Sequence, residues 1–190
     1  PDELPTEKAV LIEPYSCSKH CVDRAQITNE DIVVISGAGT LGLGMITYAR
    51  MKNPEKLIVL DMKDERLEKA KLFGADIVMN PGKVDVEKEI KALTEGYGCD
   101  IYIEATRHPS SVIQGMNCIR KLGRFVEFSV FAGETSLDWS IIGDGKELDV
   151  LGAHLSPYCY PFVIEHMNNG DLKTDGVVFS IYSLDQWEEA

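Results

Sequence analysis

The chain has 190 residues, 44% of them hydrophobic and 26% charged, a composition typical of a globular domain with a core of useful size. Its formal net charge of −12 argues against a nucleic-acid partner, because phosphate backbones require clustered Lys and Arg, and equally against docking on an anionic membrane surface. Its five cysteines, an odd number without framework spacing, favour reduced thiols and a cytoplasmic location.

Apolar runs and amphipathic stretches alternate along the middle of the chain. Short β-branched runs predict strands at 31–36, 56–61, 75–79, 99–105, 124–130 and 148–153. Helical spacing predicts helices at 41–51, 64–73, 84–95 and 109–120. Because strand and helix alternate strictly, the crossovers are long, which requires a parallel sheet with helices on both faces. The sequence therefore predicts an α/β fold with a doubly wound parallel sheet of the Rossmann type.

Two outer segments fall outside this alternation. We expect residues 26–155 to form the nucleotide-binding domain, residues 1–25 to be a remnant of the connection to another domain, and residues 156–190 to return toward that domain. The chain does not begin with Met, and its last residues are predicted to lie within a helix. We therefore expect a fragment of a longer protein.

A glycine-rich turn follows the first predicted strand directly and opens the first predicted helix. Its first glycine allows the tight turn, its second leaves room for a pyrophosphate beside the backbone, and its third lets the helix lie close to the sheet. The free N–H groups and positive dipole end of that helix then face the phosphates. This phosphate turn comprises residues 37–42, and its predicted phosphate-binding residues are Gly37, Gly39, Thr40, Leu41 and Gly42.

An acidic residue, Asp61, ends the second predicted strand. A carboxylate there can accept hydrogen bonds from both ribose hydroxyls of NAD and would repel the extra phosphate of NADP, so the sequence predicts NAD. Arg66 could reach the adenosine ribose, although a solvated Arg on a helix face fits its position equally well. Two alternatives stay open: a purely structural turn with a helix-capping Asp, and a methyltransferase that binds a nucleoside through a similar turn.

Two other groupings of reactive residues are interpreted as structural. Tyr48 and Lys52 have the Y-x-x-x-K spacing of short-chain dehydrogenases, but they lie on the helix after the phosphate turn rather than at the open end of the sheet. Cys17, His20 and Cys21 are close in sequence, yet their spacing is not that of a zinc knuckle and no second ligand pair follows. We therefore predict that these side chains pack or face solvent.

Several motifs in order resemble the zinc-containing medium-chain dehydrogenases, the alcohol dehydrogenase family, and are most similar to its polyol dehydrogenases of the sorbitol and erythritol/threitol type. The resemblance covers essentially the whole chain. It rests on the phosphate turn and on five further stretches: Glu13-Pro14, Asp64-Glu65-Arg66-Leu67, Gly74-Ala75-Asp76, Asp138-Trp139-Ser140-Ile141-Ile142-Gly143-Asp144 and Lys146-Glu147-Leu148-Asp149-Val150-Leu151-Gly152.

The resemblance implies a two-domain, NAD-dependent enzyme that oxidises a secondary alcohol of a small polyol. In that family a GroES-like N-terminal domain carries the catalytic zinc on Cys and His ligands upstream of this chain, so the chain alone is expected to be inactive. The glutamate of the Glu-Pro pair, here Glu13, approaches the zinc; from the residues alone, Glu13 would only cap or solvate a helix. The family also implies a homo-oligomer, a dimer or tetramer, paired through an exposed sixth strand.

The rest of the cofactor cleft is expected at the ends of the fourth and fifth strands, lined by Thr106 and by Phe128, Ser129 and Val130. The chain departs from the family at Arg107, where a glycine usually follows the Thr. Arg107 either crowds the cofactor or adds a phosphate contact, and the sequence does not decide between the two. The alternative from another functional class is a nucleotide-binding or sensing module without chemistry of its own.

Overall fold

The structure, a computed structural model, describes residues 4–190 and is built around a six-stranded sheet in which all paired strands are parallel. The strands are β1 Ile32–Ser36, β2 Lys56–Leu60, β3 Ile77–Met79, β4 Cys99–Glu104, β5 Ile119–Glu127 and β6 Asp149–Gly152. Their spatial order, β3-β2-β1-β4-β5-β6, is that of a doubly wound dinucleotide-binding sheet. The predicted α/β Rossmann fold is thus confirmed.

Helices connect the strands and cover both faces of the sheet. They are α1 Thr6–Ala9, α2 Ile12–Ala25, α3 Thr40–Met51, α4 Asp64–Phe73, α5 Val86–Leu93, α6 Pro109–Cys118 and α7 Tyr160–Asn168. Alternation along β1 shows how both faces are used, because Val33 and Ile35 belong to the core beneath α2, α3 and α4, whereas Val34 belongs to the core beneath α5 and α6. Within residues 4–190 no helix is long and apolar enough to cross a membrane.

Helices α2 and α7 lie outside the alternating pattern that the sequence predicts. Tyr15, Val22 and Ala25 of α2 recur at helical spacing and are fully buried, and Val163 of α7 is buried in the same core. The two helices therefore complete one hydrophobic face of the sheet. The domain boundaries at residues 25/26 and 155/156 stay predictions.

Strand β5 begins earlier than the predicted start at residue 124. Helix α6 ends at Cys118, and the chain enters the sheet at once as Ile119 pairs with Cys99. The pairing then shifts register, and Leu122 takes a left-handed backbone conformation with φ of 58°. Strand β5 therefore continues through an irregular stretch at residues 120–123, ahead of the predicted start.

Candidate cofactor-binding site

From β1 the chain adds β2 and β3 on one side of the sheet, and then returns to add β4, β5 and β6 on the other side. The crevice between the carboxyl ends of β1 and β4 lies at this reversal. Ser36 and Glu104 form the last paired positions of the two strands. Ligands of open α/β sheets bind at this switch point, because the chain leaves the two strands toward opposite faces. The phosphate turn begins directly after β1, and Thr106 lies two residues after β4, so both lie beside this crevice.

Two glycines of the phosphate turn are required by the protein's own packing. Gly37 has φ of +110°, and a Cβ added to it would lie 2.7 Å from the carbonyl oxygen of Ala105. A Cβ on Gly42 would lie only 2.0 Å from the carbonyl oxygen of Gly37. Both positions therefore exclude side chains, the first for the tight turn and the second for close contact between α3 and the turn.

Gly39 faces open space. Among the described residues, the nearest atom to a Cβ added there is Nη1 of Arg66, at 3.9 Å, so their packing does not require a glycine. Gly39 is also the N-cap residue of α3, where Thr40 and Leu41 begin the first turn, and no side chain of residues 4–190 caps the N–H groups of this helix end. A helix N-terminus that is uncapped and sterically open fits a phosphate group.

Asp61 lies at the end of β2 with its side chain 8% exposed, next to the phosphate turn. Its Oδ2 accepts a hydrogen bond from the N–H of Ala38 at 2.9 Å, and its Oδ1 accepts one from the N–H of Lys63 at 2.9 Å. Nη1 of Arg66 lies 3.6 Å from Oδ2. The structure thus brings together Asp61, Arg66 and the phosphate turn: two backbone N–H donors fix the orientation of the carboxylate, and the Arg66 guanidinium lies at ion-pair distance from it.

A cleft of about 210 Å³ extends from Asp61 across the carboxyl ends of the strands. Its lining residues are Ser36, Leu60, Asp61, Met62, Pro81, Thr106, His108, Ser110, Ser111 and Gln114. Sequence reasoning identified Asp61 and Thr106 and missed the others. A usable signal existed, because Met62, Pro81 and His108 all lie just after predicted strands, at the edge where ligands bind.

A buried carboxylate, Glu104, fixes the position of Thr106. The sequence analysis did not identify Glu104 as part of the site. Glu104 is completely buried, and its Oε1 accepts hydrogen bonds from both the N–H, at 2.8 Å, and the hydroxyl of Thr106. Among residues 4–190, its Oε2 has no hydrogen-bond partner. Burial raises the pKa of the neighbouring Glu127 carboxyl, and the charge of Glu104 raises it further. Two acidic side chains therefore lie together behind the turn after β4.

The segment after β5 is tied to the turn after β4. The N–H of Phe128 donates to the carbonyl oxygen of Glu104 at 3.2 Å. The N–H of Arg107 donates to the hydroxyl of Ser129 at 3.0 Å, and its Nε donates to the carbonyl oxygen of Val130 at 3.0 Å. Thr106, Phe128, Ser129 and Val130 are therefore adjacent, as their shared place at the strand ends predicts. Their contact with a cofactor stays a prediction.

Glu13 lies in the first turn of α2 and is exposed. Its Oε1 accepts a hydrogen bond from Sγ of Cys17 at 3.1 Å. Burial, together with this bond, raises the pKa of the Cys17 thiol to about 11. Among residues 4–190 no group of three or more His, Cys, Asp or Glu side chains could hold a metal ion. The described residues thus do not make a zinc site by themselves, and the zinc-directed role of Glu13 stays a prediction.

The Tyr48–Lys52 pair does not form a proton-transfer site. Tyr48 is 3% exposed, its hydroxyl has no hydrogen-bond partner in the described part of the chain, and burial raises its pKa. A catalytic tyrosine needs the opposite shift, toward the working pH. Cys17 and Cys21 are likewise buried, and burial is the main cause of their raised pKa values.

The strand order, the phosphate turn and the acidic residue ending β2 define a Rossmann domain of the dinucleotide-binding class. Comparison with known proteins specifies the family. Residues 40–169 match the family model of the zinc-binding dehydrogenases, and the chain belongs to that family.

Two relatives share this sequence over almost its whole length. An erythritol/L-threitol dehydrogenase from Mycolicibacterium smegmatis is 50% identical over 98% of the chain, which covers 52% of that protein. A sorbitol dehydrogenase from Bacillus subtilis is 31% identical over 100% of the chain, which covers 54% of that protein. The chain thus spans about half the length of the curated relatives it matches.

A solved structure agrees with the whole fold. It is a protein from Escherichia coli CFT073 described as a short chain alcohol dehydrogenase and solved in complex with NADH. Its TM-score is 0.90 at 26% sequence identity, and the alignment covers 100% of this chain and 56% of the other. At the level of the family, a nicotinamide cofactor and zinc accompany this fold.

Proposed function

We propose that this chain is the NAD-binding half of a zinc-assisted dehydrogenase that transfers hydride between a secondary alcohol of a small polyol and NAD. The observation that carries the proposal is the pairing of an open, uncapped helix N-terminus at Gly39 with the nearly buried carboxylate of Asp61. The first fits a pyrophosphate, and the second fits the two hydroxyls of an unphosphorylated ribose.

The pyrophosphate would lie against the N–H groups at the start of α3. Gly39 leaves the space for it, and Thr40 and Leu41 lie in the first helical turn, where backbone donors are free of intrahelical partners. Gly37 and Gly42 keep the turn close to the sheet, so the phosphates meet backbone rather than side chains. The positive end of the α3 dipole adds a favourable charge interaction.

The preference for NAD over NADP rests on the surroundings of Asp61. Its carboxylate cannot swing away easily, because the N–H groups of Ala38 and Lys63 hold both oxygens. A phosphate on the adenosine ribose would meet this fixed negative charge at low exposure to water, which is strongly unfavourable. Arg66 is half-exposed and offsets only part of that charge.

When bound, the nicotinamide accepts or donates the hydride and the zinc polarises the substrate oxygen. The contribution of this chain is to bind and orient the cofactor at the carboxyl edge of the sheet. Because the described residues hold no metal-ligand group, we propose that the chain alone binds NAD without turnover. A small polyol as substrate of the whole protein is supported by the 50% identity to an erythritol/L-threitol dehydrogenase.

The assembly and cellular location are part of the same proposal. Strand β6 lies at the edge of the sheet and exposes 42% of Val150, which supports pairing with a second copy into a dimer or tetramer. The five cysteines are free thiols, which supports a cytoplasmic location.

Calorimetric titration of both cofactors into the chain and into Asp61→Ser tests the proposal. The unmodified chain is expected to bind NAD more tightly than NADP, and Asp61→Ser to lose about tenfold in NAD affinity, ~1.4 kcal/mol, while binding NADP better. Asp64→Ser is the matched control, because Asp64 begins α4 on the same side but is exposed and paired with Lys83. A preference of the unmodified chain for NADP contradicts the role of Asp61.

A further inference from the structure

Arg107 joins the turn after β4 to the segment after β5, the two segments that are proposed to line one side of the cofactor cleft. Its N–H donates to the hydroxyl of Ser129, and its Nε donates to the carbonyl oxygen of Val130, both at 3.0 Å. The hydroxyl of Ser129 also lies 3.5 Å from the carbonyl oxygen of Glu104, at the end of β4. Arg107 thus binds the segment after β5, residues 128–130, through both the backbone N–H and the side chain of Arg107.

The backbone of Arg107 is in a conformation that disfavours any residue with a side chain. Its φ is +70°, in the left-handed region where glycine has no steric penalty. A long side chain persists in such a conformation only when the surrounding structure holds it there. The two hydrogen bonds of Arg107 supply that support, which explains why this chain can carry an Arg at a position where glycine is the natural choice.

Residues 128–130, the β5 loop, have few contacts besides those with Arg107 that hold their conformation. Val130 is 77% exposed, so apolar burial contributes little to holding it. Phe128 is only partly buried, and its N–H bond to Glu104 anchors the start of the loop rather than its end. The bond from Arg107 to Val130 is therefore the contact that restrains the distal end of the loop.

We propose that Arg107 is a positioning residue that holds the β5 loop in the shape that receives the cofactor, and that it does so without touching the cofactor itself. The inference rests on the proposed function in taking the loop as a wall of the cofactor cleft. When a ligand binds only one arrangement of a loop, its apparent affinity is the intrinsic affinity multiplied by the fraction of protein in that arrangement. Loss of the side-chain bond from Arg107 to Val130 lowers this fraction and weakens NAD binding indirectly.

Three variants separate a positioning role from a surface side chain. Arg107→Met keeps most of the length and removes the donor; Arg107→Gly also relieves the left-handed backbone; Arg107→Lys keeps a cationic donor of similar reach. We expect Arg107→Met and Arg107→Gly to raise the NAD dissociation constant about fivefold, the effect of losing one exposed hydrogen bond, and Arg107→Lys to retain most of the affinity. Arg24→Met is the matched control, because Nε of Arg24 likewise donates to a backbone carbonyl oxygen, that of Gly152 at 3.1 Å.

Amide hydrogen exchange of the cofactor-free protein separates the two roles. If Arg107 only contacted the cofactor, its substitution would leave the exchange rates of the cofactor-free β5 loop unchanged. The amides of the β5 loop are expected to exchange faster in Arg107→Met and Arg107→Gly than in the unmodified chain, with no change in Arg24→Met. Equal exchange in all four proteins would overturn the proposal, and so would weaker NAD binding with unchanged exchange, which would make Arg107 a cofactor ligand. If the unmodified chain fails to bind NAD, the proposed function fails, while the exchange comparison still decides whether Arg107 holds the loop.

Discussion

The two sides of the candidate site are built by different means. On the β1–β2 side, the phosphate turn is shaped by backbone against backbone, since a Cβ on Gly37 or Gly42 would clash with carbonyl oxygens. On the β4–β5 side, Glu104 and Arg107 hold the structure through side-chain hydrogen bonds to neighbouring backbone and hydroxyl groups. Gly37 and Gly42 on the first side exclude any side chain, whereas the second side depends on individual bonds that can be removed one at a time.

The largest effect is expected on the phosphate-turn side, from Gly42→Ala. The added methyl group would lie 2.0 Å from the carbonyl oxygen of Gly37, a backbone atom that cannot move without shifting α3. We expect a loss of about 3 kcal/mol of unfolding free energy, or roughly 6–12 °C in Tm. Gly143→Ala is the control, because its methyl group would meet no atom within 4 Å. Equal melting temperatures of the two variants would show that the turn is not constrained as described.

A smaller effect is expected on the other side, from the removal of the Glu104 carboxylate. Glu104→Ala deletes the acceptor for both the N–H and the hydroxyl of Thr106, so about 2 kcal/mol of unfolding free energy should be lost. Glu104→Gln keeps an acceptor oxygen and should retain most of the stability and of the NAD affinity. Urea denaturation and NAD titration of both variants measure this difference. Equal losses of unfolding free energy in Glu104→Ala and Glu104→Gln would assign the role of Glu104 to its charge rather than to its bonds with Thr106.

The smallest effect concerns the pH dependence of the same region. Because burial raises the pKa of Glu127 in the folded state, the folded chain binds this proton more tightly than the unfolded chain. The stability linked to this group is present at pH values below its unfolded pKa and is lost as pH rises through its folded pKa. Glu127→Gln should therefore melt about 1–3 °C above the unmodified chain at pH 7, with the difference vanishing below pH 4. A constant difference at both pH values would separate Glu127 from the titration.

The contrast between the two sides also explains how much the sequence could predict. The proximity of the phosphate turn and Asp61 could be predicted, because it follows from residue types at fixed short spacing after two neighbouring strands, and the structure brings them together. Their contacts with a cofactor stay predictions. The alternating apolar runs likewise predicted all six strands of the confirmed sheet. The role of a glycine in a tight turn can be predicted without knowing its neighbours in the fold, because the role follows from the missing side chain.

The β4–β5 side could not be predicted in this way. The bond from Arg107 to Val130 joins residues on different strand ends, so it depends on the register of β4 against β5, which includes a shift that the sequence pattern does not reveal. The two alternatives for Arg107, crowding the cofactor or binding a phosphate, both omitted a bond within the protein. Glu104 similarly reads as a polar residue ending a strand until its burial is known.

The most direct measurement of the central claim, that cofactor phosphates bind at the start of α3, is calorimetry of NAD binding to Gly39→Ala. A methyl group there would face open space, with Nη1 of Arg66 the nearest atom at 3.9 Å, so the cofactor-free variant should melt within about 3 °C of the unmodified chain. The same methyl group would occupy the space of the pyrophosphate, and NAD affinity should fall at least about tenfold. If Gly39→Ala binds NAD as tightly as the unmodified chain, the phosphates do not lie at this turn and the account is contradicted.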